Sequence, residues 1–222
     1  MGVSGRRGER GTAIMQRLRT WAQVAGVAAL LAWAVGCEDG GGKLGEGHDF
    51  GPNNPNLHIA IGDSITAGGY PERLAALLGK PVINLGIPGS KSDSGASRIG
   101  SALSQYRPGY VLILYGANDV TSGRSFASII ENLRIMVQAS KNNQSLPVLA
   151  TLTPMFYEHA LWAESVKLLN QEIRALASAE GVALADLESA FGDTPQYLQS
   201  DGLHPTAEGQ QLIAQTFYDV LN

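Results

Sequence analysis

From residue 57 to the C-terminus, five short apolar runs alternate with longer segments of helical period, and no other feature limits the fold so tightly. The runs are residues 57–61, 81–85, 110–114, 147–152 and 182–186. Each is too short to be a core helix, and nearly continuous apolar character is what a strand buried on both faces requires. Between them, residues 70–78 place Leu74, Leu77 and Leu78 on one face, and 125–140 do the same with Phe126, Ile129, Ile130, Leu133 and Val137. Further helices are expected around Arg98, Leu103 and Tyr106, over about 160–179, and from Pro205 or Thr206 to Leu221. Strand and helix alternating five times predict an α/β fold: a doubly wound, five-stranded parallel sheet with helices on both faces and right-handed crossovers. In such a sheet ligands bind in the crevice beyond the carboxyl ends of the strands.

Chemistry-bearing residues collect at those ends. The first run stops at Gly62-Asp63-Ser64, where a hydroxyl beside the N–H groups opening a helix has the exposure and the donors that acyl transfer needs. Taken alone, Asp63 or Ser64 is as well explained as a helix cap. The second run leads into Gly86-Ile87-Pro88-Gly89-Ser90-Lys91-Ser92, where Gly89 either turns the chain or brings a backbone N–H close to a ligand. The third runs into Tyr115-Gly116-Ala117-Asn118-Asp119, so that Asn118, an uncharged donor, shares the edge with Ser64. Met155, Phe156 and Tyr157 follow the fourth run, either lining an acyl pocket or packing on the core, and Glu158 and His159 read as surface residues. Before the last helix comes Asp201-Gly202-Leu203-His204-Pro205, in which an aspartate three residues ahead of a histidine can fold back onto Nδ1–H and leave Nε2 free as a base.

Gly62-Asp63-Ser64, the glycine loop, Gly116-Ala117-Asn118-Asp119 and Asp201-x-x-His204-Pro205 together resemble, in order and spacing, the SGNH or GDSL-type hydrolases. The resemblance covers about residue 58 to the C-terminus. It implies a flavodoxin-like three-layer α/β/α fold and serine ester hydrolysis without metal or cofactor. It further implies Ser64 as nucleophile, His204 as base and Asp201 as its orienter. The Ser64 N–H, the Gly89 N–H and the Asn118 side chain would then form the oxyanion hole. Where such hydrolases often carry Gly-Asp-Thr in the second block, this chain has Gly89-Ser90-Lys91. The expected activity is hydrolysis of small or single-chain acyl esters, as by arylesterases, lysophospholipases or thioesterases. Carbohydrate O-deacetylation is the alternative, and a non-catalytic glycan-binding envelope lipoprotein a third reading.

Residues 1–36 read as an export signal: five arginines precede an apolar stretch, 21–36, that has no polar face and is too short for a comfortable membrane span. Met15-Gln16-Arg17-Leu18-Arg19 supplies the usual short basic lead, which makes Met15 a candidate start. Ala34-Val35-Gly36-Cys37 resembles a bacterial lipobox, with alanine where leucine is commoner, and Cys37 is the only cysteine. Residues 37–56, rich in Gly, Pro and Asn, read as a flexible tether to a hydrolase domain spanning 57–222. The expected product is a monomeric enzyme of the bacterial cell envelope, held to a membrane by a lipid on Cys37. Removing residues 1–36 leaves 11 basic against 19 acidic residues, a formal charge of about −8 that argues against nucleic acid as a partner.

Overall fold

The computed structural model describes residues 43–222 together with Met1 and Gly2; Cys37, Met15 and the expected signal lie outside the described residues. Five parallel strands form one sheet: β1 (Asn54–Gly62), β2 (Val82–Gly86), β3 (Pro108–Leu114), β4 (Leu146–Ala150) and β5 (Ala183–Ala185), in the order β2-β1-β3-β4-β5. Every residue of β3 is buried, as its central place demands, and Val111 to Leu114 have at most 1% of their surface exposed. Each such aliphatic side chain contributes about 1.5–3 kcal/mol of transfer free energy. The register pairs His58 with both Val82 and Tyr110, and Gly62 with both Gly86 and Leu114, so three strands finish level at their carboxyl ends. The strand order reverses between β1 and β3, which opens the crevice between the exits of these two strands.

Helices cover both faces. On one, α2 (Tyr70–Leu78) packs against α8 (Ala207–Leu221); on the other, α3 (Ser92–Tyr106) packs against α5 (Phe126–Asn142), which in turn meets α6 (Ala163–Glu180). The buried stripe of α5 is Ile129, Leu133, Met136 and Val137, close to the face that its sequence period marks. Three short helices, α1 (Ser64–Ala67), α4 (Ala117–Thr121) and α7 (Leu187–Phe191), open directly at strand exits and are too brief to show a period of their own.

Two expectations need correction. The helix foreseen from about residue 160 begins at Ala163, because Tyr157–Trp162 form a 3₁₀ turn with no buried residue to hold an α-helical stripe. Residues 43–53, read as part of a flexible tether, are folded onto the amino-terminal edge of the sheet. There the Tyr110 hydroxyl donates to the Leu44 carbonyl (2.8 Å), the Phe50 ring lies 5.5 Å from that of Tyr110, and the Asn53 amide donates to the Asn143 carbonyl.

Candidate active site

At the exit of β1 the chain turns at Asp63, which caps α1: its Oδ1 accepts from the Ile65 N–H at 2.9 Å. Ser64 is thereby the first residue of the helix, half-buried, with its hydroxyl 3.0 Å from His204 Nε2 although 140 residues separate them in sequence. Asp201 fixes the histidine from the other side. One carboxylate oxygen accepts from the backbone N–H groups of Leu203 and His204, both at 3.0 Å, and the other from His204 Nδ1 at 2.5 Å. Since a carboxylate can only accept, the ring proton sits on Nδ1, and Nε2 is left to accept from the Ser64 hydroxyl. Burial pushes the Asp201 carboxyl up, but the His204 ring and the two backbone N–H groups outweigh it and hold the group at about 2.

The loop carrying Asp201 and His204 is braced by the segment after β4. The Phe156 N–H donates to the Gly202 carbonyl (2.9 Å), and His159 Nδ1–H donates to the Asp201 carbonyl (2.7 Å). Gly202 has φ +72°, and a Cβ there would stand 2.0 Å from the Phe156 carbonyl oxygen, so both the backbone angle and the close approach require glycine. His159, expected at the surface, thus reaches the backbone of the triad loop. The contact spans 42 residues and leaves no trace in local sequence.

Three exits supply hydrogen-bond donors. The N–H groups of Ser64 and of Gly89, whose φ is +74° in an exposed turn, have no acceptor among the described residues. The Asn118 amide is held by the Ser90 carbonyl at 3.0 Å and by Asp63 Oδ2 at 3.3 Å. A second buried carboxylate fixes the spacing of these exits. Asp119 accepts from the Ser92 N–H (2.9 Å) and hydroxyl (2.7 Å), pinning the start of α3 to that of α4, and Asn132 donates to the same hydroxyl. Arg98 donates to the carbonyls of Gly62 and Leu85 and to the Tyr115 hydroxyl, tying together the ends of β1 and β2 beneath the turn. Sequence reading gave no role to Asp119, Ser92 or Arg98. Asp119 stands in the Gly116-Ala117-Asn118-Asp119 block, and its pairing with Ser92 and the contacts of Arg98 appear only in the folded chain.

Of the three residues expected after β4 to line an acyl pocket, Met155 is 2% exposed and belongs to the core, and Phe156 packs against that core while its backbone holds Gly202. Tyr157 presents its ring to solvent, and the Leu161 side chain, one turn on, is exposed as well. The arrangement brings together a hydroxyl, an imidazole whose Nε2 faces it, an ionised orienting carboxylate and a set of N–H donors. That is sufficient for nucleophilic acyl transfer.

Residues 60–212 match the model of the GDSL-like lipase/acylhydrolase family. The thioesterase 1/protease 1/lysophospholipase L1 of Escherichia coli strain K12 is 28% identical over 174 residues, covering 70% of this chain and 78% of its own. An arylesterase of Vibrio mimicus is 29% identical over 180 residues, covering 71% of this chain and 84% of its own. Among solved structures, a GDSL-like lipase from Bacteroides thetaiotaomicron VPI-5482 superposes with a TM-score of 0.66 at 23% identity, over 75% of this chain and 88% of its own, a likeness of fold.

Proposed function

The chain belongs to the GDSL-like lipase/acylhydrolase family and is an ester hydrolase, and from that premise we propose a serine acyl-enzyme mechanism acting on small or single-chain acyl esters. The carrying observation is Ser64 Oγ at 3.0 Å from a His204 whose other nitrogen is held by Asp201. Ser64 attacks the acyl carbonyl while Nε2 takes its proton, and the N–H groups of Ser64 and Gly89 with the Asn118 amide receive the charge that develops on oxygen. His204 then returns the proton to the departing alcohol or thiol, and a water activated by the same nitrogen releases the acid.

The apolar rim supports an apolar acyl group. Ile87 follows β2 and is 45% exposed, while Tyr157 and Leu161 follow β4 and are 58% and 72% exposed. The exits of β1 and β3, with Ser64 and Asn118, lie between them in the sheet order. Each methylene of substrate that such side chains cover is worth about 0.8 kcal/mol. Replacing both Tyr157 and Leu161 by serine is expected to lower kcat/KM for p-nitrophenyl octanoate about 10-fold, with p-nitrophenyl acetate little affected. An equal fall for both esters contradicts an acyl-contacting rim. Acetate released from polysaccharide, with no turnover of the graded p-nitrophenyl series, selects the deacetylase reading instead.

Attachment to the envelope through Cys37 completes the proposal, supported by its position behind an apolar stretch led by arginines and by its being the sole cysteine. Cys37→Ser is expected to move the enzyme from the membrane to the soluble fraction with activity intact. Unaltered protein that already fractionates as soluble and unacylated contradicts it.

A further inference from the structure

Asp63 holds the place between the end of β1 and the nucleophile, and a helix cap explains only half of its side chain. Capping engages Oδ1, through the Ile65 N–H. Serine or asparagine would cap as well without burying a carboxyl group, yet Asp63 is 1% exposed and burial, with a smaller push from the Asp119 charge, raises it to about 6. The second oxygen, Oδ2, faces Asn118 Nδ2 at 3.3 Å, across 55 residues of sequence.

The Asn118 amide has two faces related by a half-turn about its terminal bond, one presenting N–H and the other a carbonyl oxygen. Its nitrogen meets two acceptors, the Ser90 carbonyl at 3.0 Å and Asp63 Oδ2 at 3.3 Å. Turned the other way, the amide would set its oxygen against both. Its orientation is therefore decided by the company it keeps, and the longer contact is the one able to share its hydrogen with a new acceptor.

We propose that Asp63 is a positioning residue for the oxyanion hole, holding the Asn118 amide with its N–H side toward the acyl carbonyl through Oδ2 and sharing that hydrogen with the oxygen that gains charge in the transition state. The proposal rests on Asn118 being an oxyanion donor. An asparagine at position 63 that keeps the cap through its oxygen turns an NH₂ toward Asn118, donor against donor. Asn118 then either loses a partner or turns its carbonyl toward the developing charge.

A double-mutant cycle on purified full-length protein reads this out, with p-nitrophenyl acetate as substrate. Asn118→Ala is expected to lower kcat about 10²–10³-fold with KM little changed. Asp63→Asn is expected to lower kcat about 10- to 100-fold, again with KM little changed, whereas on the Asn118→Ala background the same replacement costs less than about twofold. Asp63→Ser, which caps but cannot span to Asn118, is expected to behave like Asp63→Asn and carries the test if the asparagine variant does not fold. A slow Asn118→Ala enzyme in which the position-63 replacement costs the same factor in both backgrounds overturns the proposal alone, since Asp63 then acts on Ser64 or His204 directly. An Asp63→Asn enzyme of normal kcat overturns it too. Undiminished kcat in Asn118→Ala removes the oxyanion role and the proposal with it.

Discussion

Asp201→Asn is expected to lower kcat about 10⁴-fold while the fold is retained. The amide oxygen can still accept from the N–H groups of Leu203 and His204, so the turn that carries both residues keeps its hydrogen bonds. What changes is the sign of the contact to the ring. The carboxylate oxygen that now accepts from Nδ1 becomes an NH₂ donor, which the ring can meet only by moving its proton to Nε2. Nε2–H faces the Ser64 hydroxyl and can no longer take a proton from it. Asp201 also has a signature in stability. Its carboxyl is held at about 2, below the ordinary range, so its contribution is fully present above about pH 4 and is lost as pH falls through 2. The melting temperature of Asp201→Asn should therefore lie below that of the unaltered enzyme at neutral pH, with the gap closing near pH 2. A variant with normal kcat would show that the His204 tautomer does not govern turnover.

Ser64→Ala is expected to remove about 10⁶ from kcat, since loss of the nucleophile in such a triad costs about as much as loss of the whole. Among the described residues the hydroxyl's hydrogen bond is to His204, and Ser64 is half-buried at a helix start whose cap comes from Asp63. Folding should hardly notice the change, and the melting temperature is expected to stay within a few degrees. Turnover that survives at more than about one part in 10⁴ would mean that another group or a directly activated water attacks the ester.

Strand β3 is legible in sequence because a central strand buried on both faces must be apolar throughout, and 110–114 could be little else. The same reasoning sends Ser64, Gly89, Asn118 and the 201–204 turn to one edge of the sheet, because each follows a strand or precedes the last helix. Local pattern cannot supply the pairings across that edge. Asp119 on Ser92, Arg98 on the Gly62 carbonyl and His159 on the Asp201 carbonyl are meetings of residues 27 to 42 apart, fixed only when the helices pack. Glycine-rich composition misleads in residues 43–53, where two apolar side chains, Leu44 and Phe50, are enough to seat the segment on the core. Periodicity misleads at 160–162, which read as the start of a helix but close a 3₁₀ turn in which Tyr157 and Leu161 are exposed and Trp162 packs against the core.

The central claim is that Ser64 Oγ is the nucleophile to which the acyl group becomes attached. Intact-mass measurement after treatment with a fluorophosphonate, followed by peptide mapping, tests it most directly. The account predicts one phosphonyl adduct per chain, on Ser64, absent from Ser64→Ala and formed far more slowly in Asp201→Asn. An adduct that persists in Ser64→Ala, or one that maps to another residue in the active enzyme, would contradict it.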